Sequence, residues 1–244
     1  MKNSKEIDIA QKLIRCKSIA PKDGGALKIV EKKCKSMGFK CTKLRFAEKG
    51  FDTINNLYAE IGSGSPHFSF AGHVDVVPAE KKEWAVDPFA GKIKNNFLHG
   101  RGAVDMKSAI ACFISATKSY LEENKNFKGK ISMLITGDEE TYAVNGTKKI
   151  LKWLKKKRIK VDACLVGEPT NLKNLGDSMR IGRRGGFNGI VEVQGKAGHS
   201  AWPNRTINPV SGLMQMLTNI NKKVLDKGTK HFQPSIIQIT SIDV

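Results

Sequence analysis

The chain has 244 residues, of which 40% are hydrophobic and 27% charged, a balance that fits a soluble globular protein long enough for one large domain or two modest ones. No apolar run reaches the roughly 20 residues of a membrane span. The start, Met1-Lys2-Asn3-Ser4-Lys5, lacks a signal-peptide core, so we expect a cytoplasmic protein without a membrane partner.

Of 42 basic residues, 8 are Arg and 34 Lys, and the net charge is +19. They are spread along the chain without an aromatic-interleaved patch, which argues against a specific nucleic-acid partner. The densest run, Lys155-Lys156-Lys157-Arg158, closes a helical pattern, where cations suit the helix dipole. Five scattered cysteines without a C-x-x-C pair read as free thiols rather than disulfides.

In chain order, Ser4 caps a first helix with Ile7, Ala10, Leu13 and Ile14 on one face. A turn at Pro21–Gly25 leads to a second helix ended by Gly38. Strands are expected at about 40–46, 56–61 and 67–71, and a loop and hairpin at 79–99. A long helix runs from Met106 to about Glu122. Lys130–Thr136 is a buried strand, a helix follows at about 144–157, and a strand at 162–166. After about residue 178 the composition shifts: an alternating strand at Ile190–Gln194, a helix at about 207–221 and a strand at Ile236–Ile242 suggest a smaller second domain.

Several element ends carry ligand-type side chains. His73 and Asp75 leave one side of an extended chain at the end of the 67–71 strand. Asp105 follows a Gly-Arg-Gly turn just before a helical pattern, Glu139 and Glu140 follow the 130–136 strand, and Glu168 follows the 162–166 strand. Strand ends of an α/β sheet are where ligands collect. One imidazole with several carboxylates suits Zn²⁺, Co²⁺ or Mn²⁺ better than Ca²⁺ or a thiolate site. Glu139 and Glu140 are adjacent and cannot both easily ligate one ion, so one is free to serve as a base.

The stretches Ala71–Pro78, Gly100–Lys107, Gly137–Glu140 and Gly167–Thr170, in this order and spacing, resemble the zinc aminoacylase and carboxypeptidase superfamily. Leu175-Gly176-Asp177 and Gly182-Arg183-Arg184-Gly185-Gly186 look like its desuccinylase branch rather than its acetylornithine deacetylase branch, as do Gly38-Phe39, Leu44-Arg45-Phe46 and Asn55–Ala59. The resemblance implies an α/β fold: a mixed-sheet, zinc-peptidase-like catalytic domain at 1–178, and a smaller α+β dimerisation or lid domain at 179–244. It also implies a dinuclear zinc enzyme, with Co²⁺ or Mn²⁺ possible, that removes succinate from N-succinyl-LL-2,6-diaminopimelate and acts as a homodimer.

By the same resemblance, His73 and Glu168 hold one ion, Asp105 bridges, and Glu140 belongs to the second. Glu139 is the general base, Asp75 orients His73, and the peptide after Asp105 is cis. His199 reaches a neighbouring subunit's site to stabilise the oxyanion, and Arg180 and Arg183 bind substrate carboxylates. Two departures touch substrate contacts: Gly186 stands where a Ser is expected, and Trp202 where the family often has Tyr. Family members continue beyond the equivalent of Val244 and supply a last His ligand, for which His67, His99 and His231 are not candidates. Both domains are therefore expected to be incomplete at the C-terminus. The competing readings are an acetylornithine deacetylase or related aminoacylase, an inactive fragment, and a polyanion binder.

Overall fold

The computed structural model describes residues 4–243. The chain divides into two compact units, one ending at Asp177 and one beginning at Ser178.

The first unit is built on a five-stranded mixed sheet. Its elements are α1 (Lys5–Arg15), α2 (Ala26–Ser36), β1 (Lys40–Glu48), β2 (Phe51–Ser63), β3 (His67–His73), the hairpin β4 (Lys92–Lys94) and β5 (Phe97–His99), α3 (Ser108–Glu123), β6 (Gly129–Thr136), α4 (Thr147–Lys156) and β7 (Ala163–Val166). The strand order is β1-β2-β6-β3-β7. β1, β2 and β6 pair antiparallel, whereas β6, β3 and β7 are parallel.

Both faces of the sheet are covered, which is why β6 is buried along most of its length and carries Ile131, Met133, Leu134 and Ile135 on both faces. On one face Leu57, Phe70, Met133 and Ile135 pack with Leu13, Val30, Ile110 and Ile114 of α1, α2 and α3. On the other, Tyr58 and Leu134 pack with Ile150 and Leu154 of α4. α1 keeps Ile9, Ala10, Leu13 and Ile14 inward, close to the expected stripe. Ser4 occupies its N-cap position but makes no side-chain cap bond. α2 ends as expected, with Gly38 at φ +90°.

The long central helix starts at Ser108 rather than Met106, because Ala103–Lys107 forms a separate wide turn with non-helical Asp105 and Met106. The five cysteines are free, with Cys34 buried and Cys112 and Cys164 exposed. Among the described residues no helix is long and apolar enough to cross a membrane.

The second unit holds α5 (Pro209–Asn221), whose N-cap Asn208 accepts from the Val210 N–H at 2.9 Å. The strands expected at Ile190–Gln194 and Ile236–Ile242 are absent; the described residues there form no ladder, only a single antiparallel bridge between Lys196 and Ile207. Alternation marks a segment that can lie on a sheet, but a strand exists only when a neighbour pairs its backbone.

Candidate metal centre

Three parallel strands end together. In the β3–β6 register His73 stands opposite Thr136, and in the β3–β7 register Ala71 stands opposite Val166. The residues that follow each strand, Asp75, Asp138–Glu140 and Glu168, therefore emerge at one edge of the sheet.

Asp105 arrives from outside the sheet, and Met106 brings it there. Met106 is fully buried, and its Sδ accepts from the His73 N–H at 3.3 Å. A Cβ on Gly72 would stand 2.4 Å from Met106 Cε, and one on Gly167 would stand 2.7 Å from the same atom. These two glycines thus form a slot that only a bare backbone allows. The Asp105–Met106 peptide is cis, in line with the resemblance. Sequence reasoning missed this anchor; the signal available was a Met beside Asp105 with glycines at two strand ends.

Around buried His73 the carboxylates gather. Its Nε2 lies 2.9 Å from Asp105 Oδ1, 3.6 Å from Glu168 Oε1 and 3.8 Å from Glu139 Oε2. Donor atoms of His73, Asp105 and Glu168 all lie within 4.8 Å of one another, and so do those of His73, Glu139 and Glu140. On its other side, His73 Nδ1 lies 3.0 Å from the Asp75 carbonyl and 3.5 Å from Asp75 Oδ1. That contact fixes the ring and leaves Nε2 to face the carboxylates.

Asp75 has a second task that the sequence did not disclose. Its Oδ2 accepts the backbone N–H groups of both Glu139 and Glu140, each at 2.9 Å. One carboxylate thereby ties the β3 end to the β6 end. The neighbouring Asp138 is also structural: its carboxylate accepts from Thr141 Oγ1, Ala143 N and Asn145 N and folds the loop into shape.

The electrostatics of the ion-free cluster explain what it could take up. Burial and then repulsion from Asp105 push the Glu140 carboxyl upward. Burial also raises Glu168, with Asp105 and Glu139 adding repulsion against the attraction of His73. Burial opposes charge on His73, but hydrogen bonding and attraction to Asp75, with Glu139, outweigh it and lift the imidazole to about 9. Carboxylates raised by burial and by mutual repulsion around one imidazole are a donor set short of positive charge, and an N/O-ligated divalent cation fits it.

Thus six of the nine residues singled out from the sequence, His73, Asp75, Asp105, Glu139, Glu140 and Glu168, come together in the first unit. His199, Arg180 and Arg183 lie exposed in the second, where the Ala201 N–H donates to His199 Nδ1 at 3.1 Å. Among the other histidines, His67 is buried in β3 between the Lys160 carbonyl and Ser132 Oγ.

The profile of Peptidase family M20/M25/M40 matches residues 69–239. A relative from Parvibaculum lavamentivorans, named succinyl-diaminopimelate desuccinylase, is 50% identical over 98% of this chain and 60% of its own length. One of the same name from Pelagibacter ubique is 49% identical over 98% of this chain and 62% of its own. The chain therefore spans about three-fifths of the relatives it matches. Among solved structures, the di-peptidase Dug1p from Saccharomyces cerevisiae aligns with a TM-score of 0.62 at 17% identity, covering 92% of this chain and 50% of that one. Human carnosine dipeptidase 1 aligns at 0.60 and 19% identity, covering 66% and 38%. These two alignments speak to the fold.

Proposed function

Because the chain belongs to peptidase family M20/M25/M40, we propose that it carries the metal centre of an amide hydrolase that removes succinate from N-succinyl-LL-2,6-diaminopimelate, giving LL-2,6-diaminopimelate for lysine synthesis. The observation that carries this reading is the convergence of Asp105, Glu139, Glu140 and Glu168 around His73. The name shared by relatives about half identical to it supports the substrate.

In this reading His73 and Glu168 would hold one Zn²⁺, Glu140 would belong to a second and Asp105 would be shared between them, with Co²⁺ or Mn²⁺ as workable substitutes. When bound, the ions supply Lewis-acid polarisation of the amide carbonyl and neutralise the crowded carboxylates. Glu139 is assigned as the base: its side chain is 51% exposed, open to an attacking water, while Asp75 fixes its backbone. It takes the proton from that water and delivers it to the departing amine. Asp75 orients His73, and Arg180 and Arg183 offer guanidinium forks to substrate carboxylates. We assign the second unit to dimerisation, with His199 serving a partner subunit's site. The free cysteines are consistent with a cytoplasmic setting.

The test is a zinc titration followed by rates on N-succinyl-LL-2,6-diaminopimelate and N-acetylornithine. Zinc uptake that is lost in Glu168→Ala, with a clear preference for the succinyl substrate, is the expected result. A preference for N-acetylornithine would transfer the assignment to the deacetylases, and a chain that takes up no zinc would remove the metal centre altogether.

A further inference from the structure

Among the described residues Lys107 is the one lysine or arginine that is buried, and its exposure is 0%. In a chain with 42 basic residues, all but this one of those described keep access to water, so its placement calls for a reason. Lys107 closes the wide turn that carries Asp105, and its N–H donates to the Gly102 carbonyl at 2.9 Å. Its stem runs under that turn: a Cβ on Gly102, which sits at φ +78°, would come within 3.2 Å of Lys107 Cδ. The ammonium donates to the Cys16 carbonyl at 2.9 Å.

The loop that Lys107 grips is bonded in turn to both flanks of Asp75. The Cys16 carbonyl also accepts the Ser18 N–H at 2.8 Å. Ser18, itself fully buried, donates its hydroxyl to the Val74 carbonyl at 2.6 Å, and its backbone carbonyl accepts the Val76 N–H at 3.0 Å. Asp75 lies between Val74 and Val76 and holds the Glu139 and Glu140 backbones.

We propose that Lys107 is a positioning residue of the metal centre, joining the Asp105 turn through the Cys16–Ser18 loop to Asp75 and thereby to Glu139 and Glu140. The splint sets the distance between the two halves of the donor set. Lys107 commits its ammonium to the Cys16 carbonyl and Ser18 its hydroxyl to the Val74 carbonyl. This rests on the proposed metal site, but its first readout does not.

The experiment uses the full chain and compares Lys107→Met, which keeps the stem and removes the donor and charge, with Ser18→Ala, which removes the side-chain bond to the Val74 carbonyl at the other end of the splint and leaves the backbone bond to Val76. In the metal-free protein, the Glu139 and Glu140 amides are expected to exchange about tenfold faster in either variant, while β6 amides such as Met133 keep their rates. Zinc affinity, measured by competition with a chromophoric chelator, is expected to fall by about 10- to 100-fold in Lys107→Met, as for other residues that orient metal ligands. The double variant should lose less than the two single losses combined, because both cut one connection.

Unchanged exchange at Glu139 and Glu140, or a uniform rise at all amides, would overturn the inference. So would tighter zinc binding in Lys107→Met, the result expected if Lys107 were merely a cation repelling the ion. A wild-type chain that bound no zinc would sink the proposed function, yet the exchange result would still decide the splint. If Lys107→Met fails to fold, Ser18→Ala carries the same test.

Discussion

The two units of this chain differ in how far their apolar side chains are covered. In the first, apolar stripes from four helices close over both faces of a sheet, and side chains such as Leu13, Ile110 and Ile135 are wholly shielded from water. In the second, no described residue is buried, and Ile190, Ile236 and Phe187 stand largely exposed. The candidate ligands follow the same division. Those at the ends of paired strands are held by backbone register to within a few ångströms of one another. His199, Arg180 and Arg183 lie on segments with no ladder to hold them. Precision at a site comes from the rigidity of what supports it.

The sharpest way to break this contrast is to ask where chemistry resides. Glu139→Gln should cost about 10²- to 10⁴-fold in kcat, the usual contribution of a positioned base, while zinc binding persists. Glu168→Ala should remove zinc and activity together. His199→Ala should leave zinc affinity within about twofold of wild type, since it alters no ligand in the first unit. A large loss of zinc in His199→Ala, read by equilibrium dialysis, would show that the second unit contributes to the donor set after all.

A smaller effect sharpens the contrast in stability. Ile135→Ala removes a fully buried side chain between strands and helices and should cost about 2–5 kcal/mol. Ile190, with 89% of its surface exposed, should change stability by less than about 0.5 kcal/mol on truncation to Ala. Urea unfolding of the two variants measures both. Comparable losses would mean that Ile190 is covered in solution.

Much of this arrangement was legible in the sequence. Apolar strands ending in His73, Glu139-Glu140 and Glu168 can be read without a structure, because strands that are parallel neighbours bring their ends to the same edge. The helices were legible because a stripe of 3.6-residue period needs only one surface to cover it. What escaped notice depends on approach in three dimensions. Met106 in its slot between Gly72 and Gly167, the Asp75 carboxylate under two backbone amides, and the Asp138 loop bond all join residues far apart in the chain or across a turn. Ile190–Gln194 and Ile236–Ile242 failed for the converse reason: period-two alternation describes one face, and the pairing that makes a strand is not written in the segment itself.

The finest distinction between the units lies in two histidines. His199 is exposed, whereas His73 is buried among carboxylates that lift its pKa to about 9 against the opposing effect of burial. At a pH of about 7.5 the ion-free His73 is therefore protonated, and an imidazole must be neutral to ligate. Zinc binding should then release about one proton per chain, measured as the dependence of binding heat on buffer ionisation enthalpy. The release should fade as pH rises past about 9 and grow on acidification, where the raised carboxyls of Glu140 and Glu168 also hold protons. In the ion-free chain the same shift has the opposite consequence for folding. The raised pKa of His73 contributes stability that is fully present below its ordinary 6.5 and is lost as pH climbs through about 9. His73→Asn should abolish both the proton release and this slope, and His199→Asn should leave both in place. A release that survives in His73→Asn would mean that the proton comes from another group, and that the carboxylates around His73 do not hold its charge as the geometry indicates.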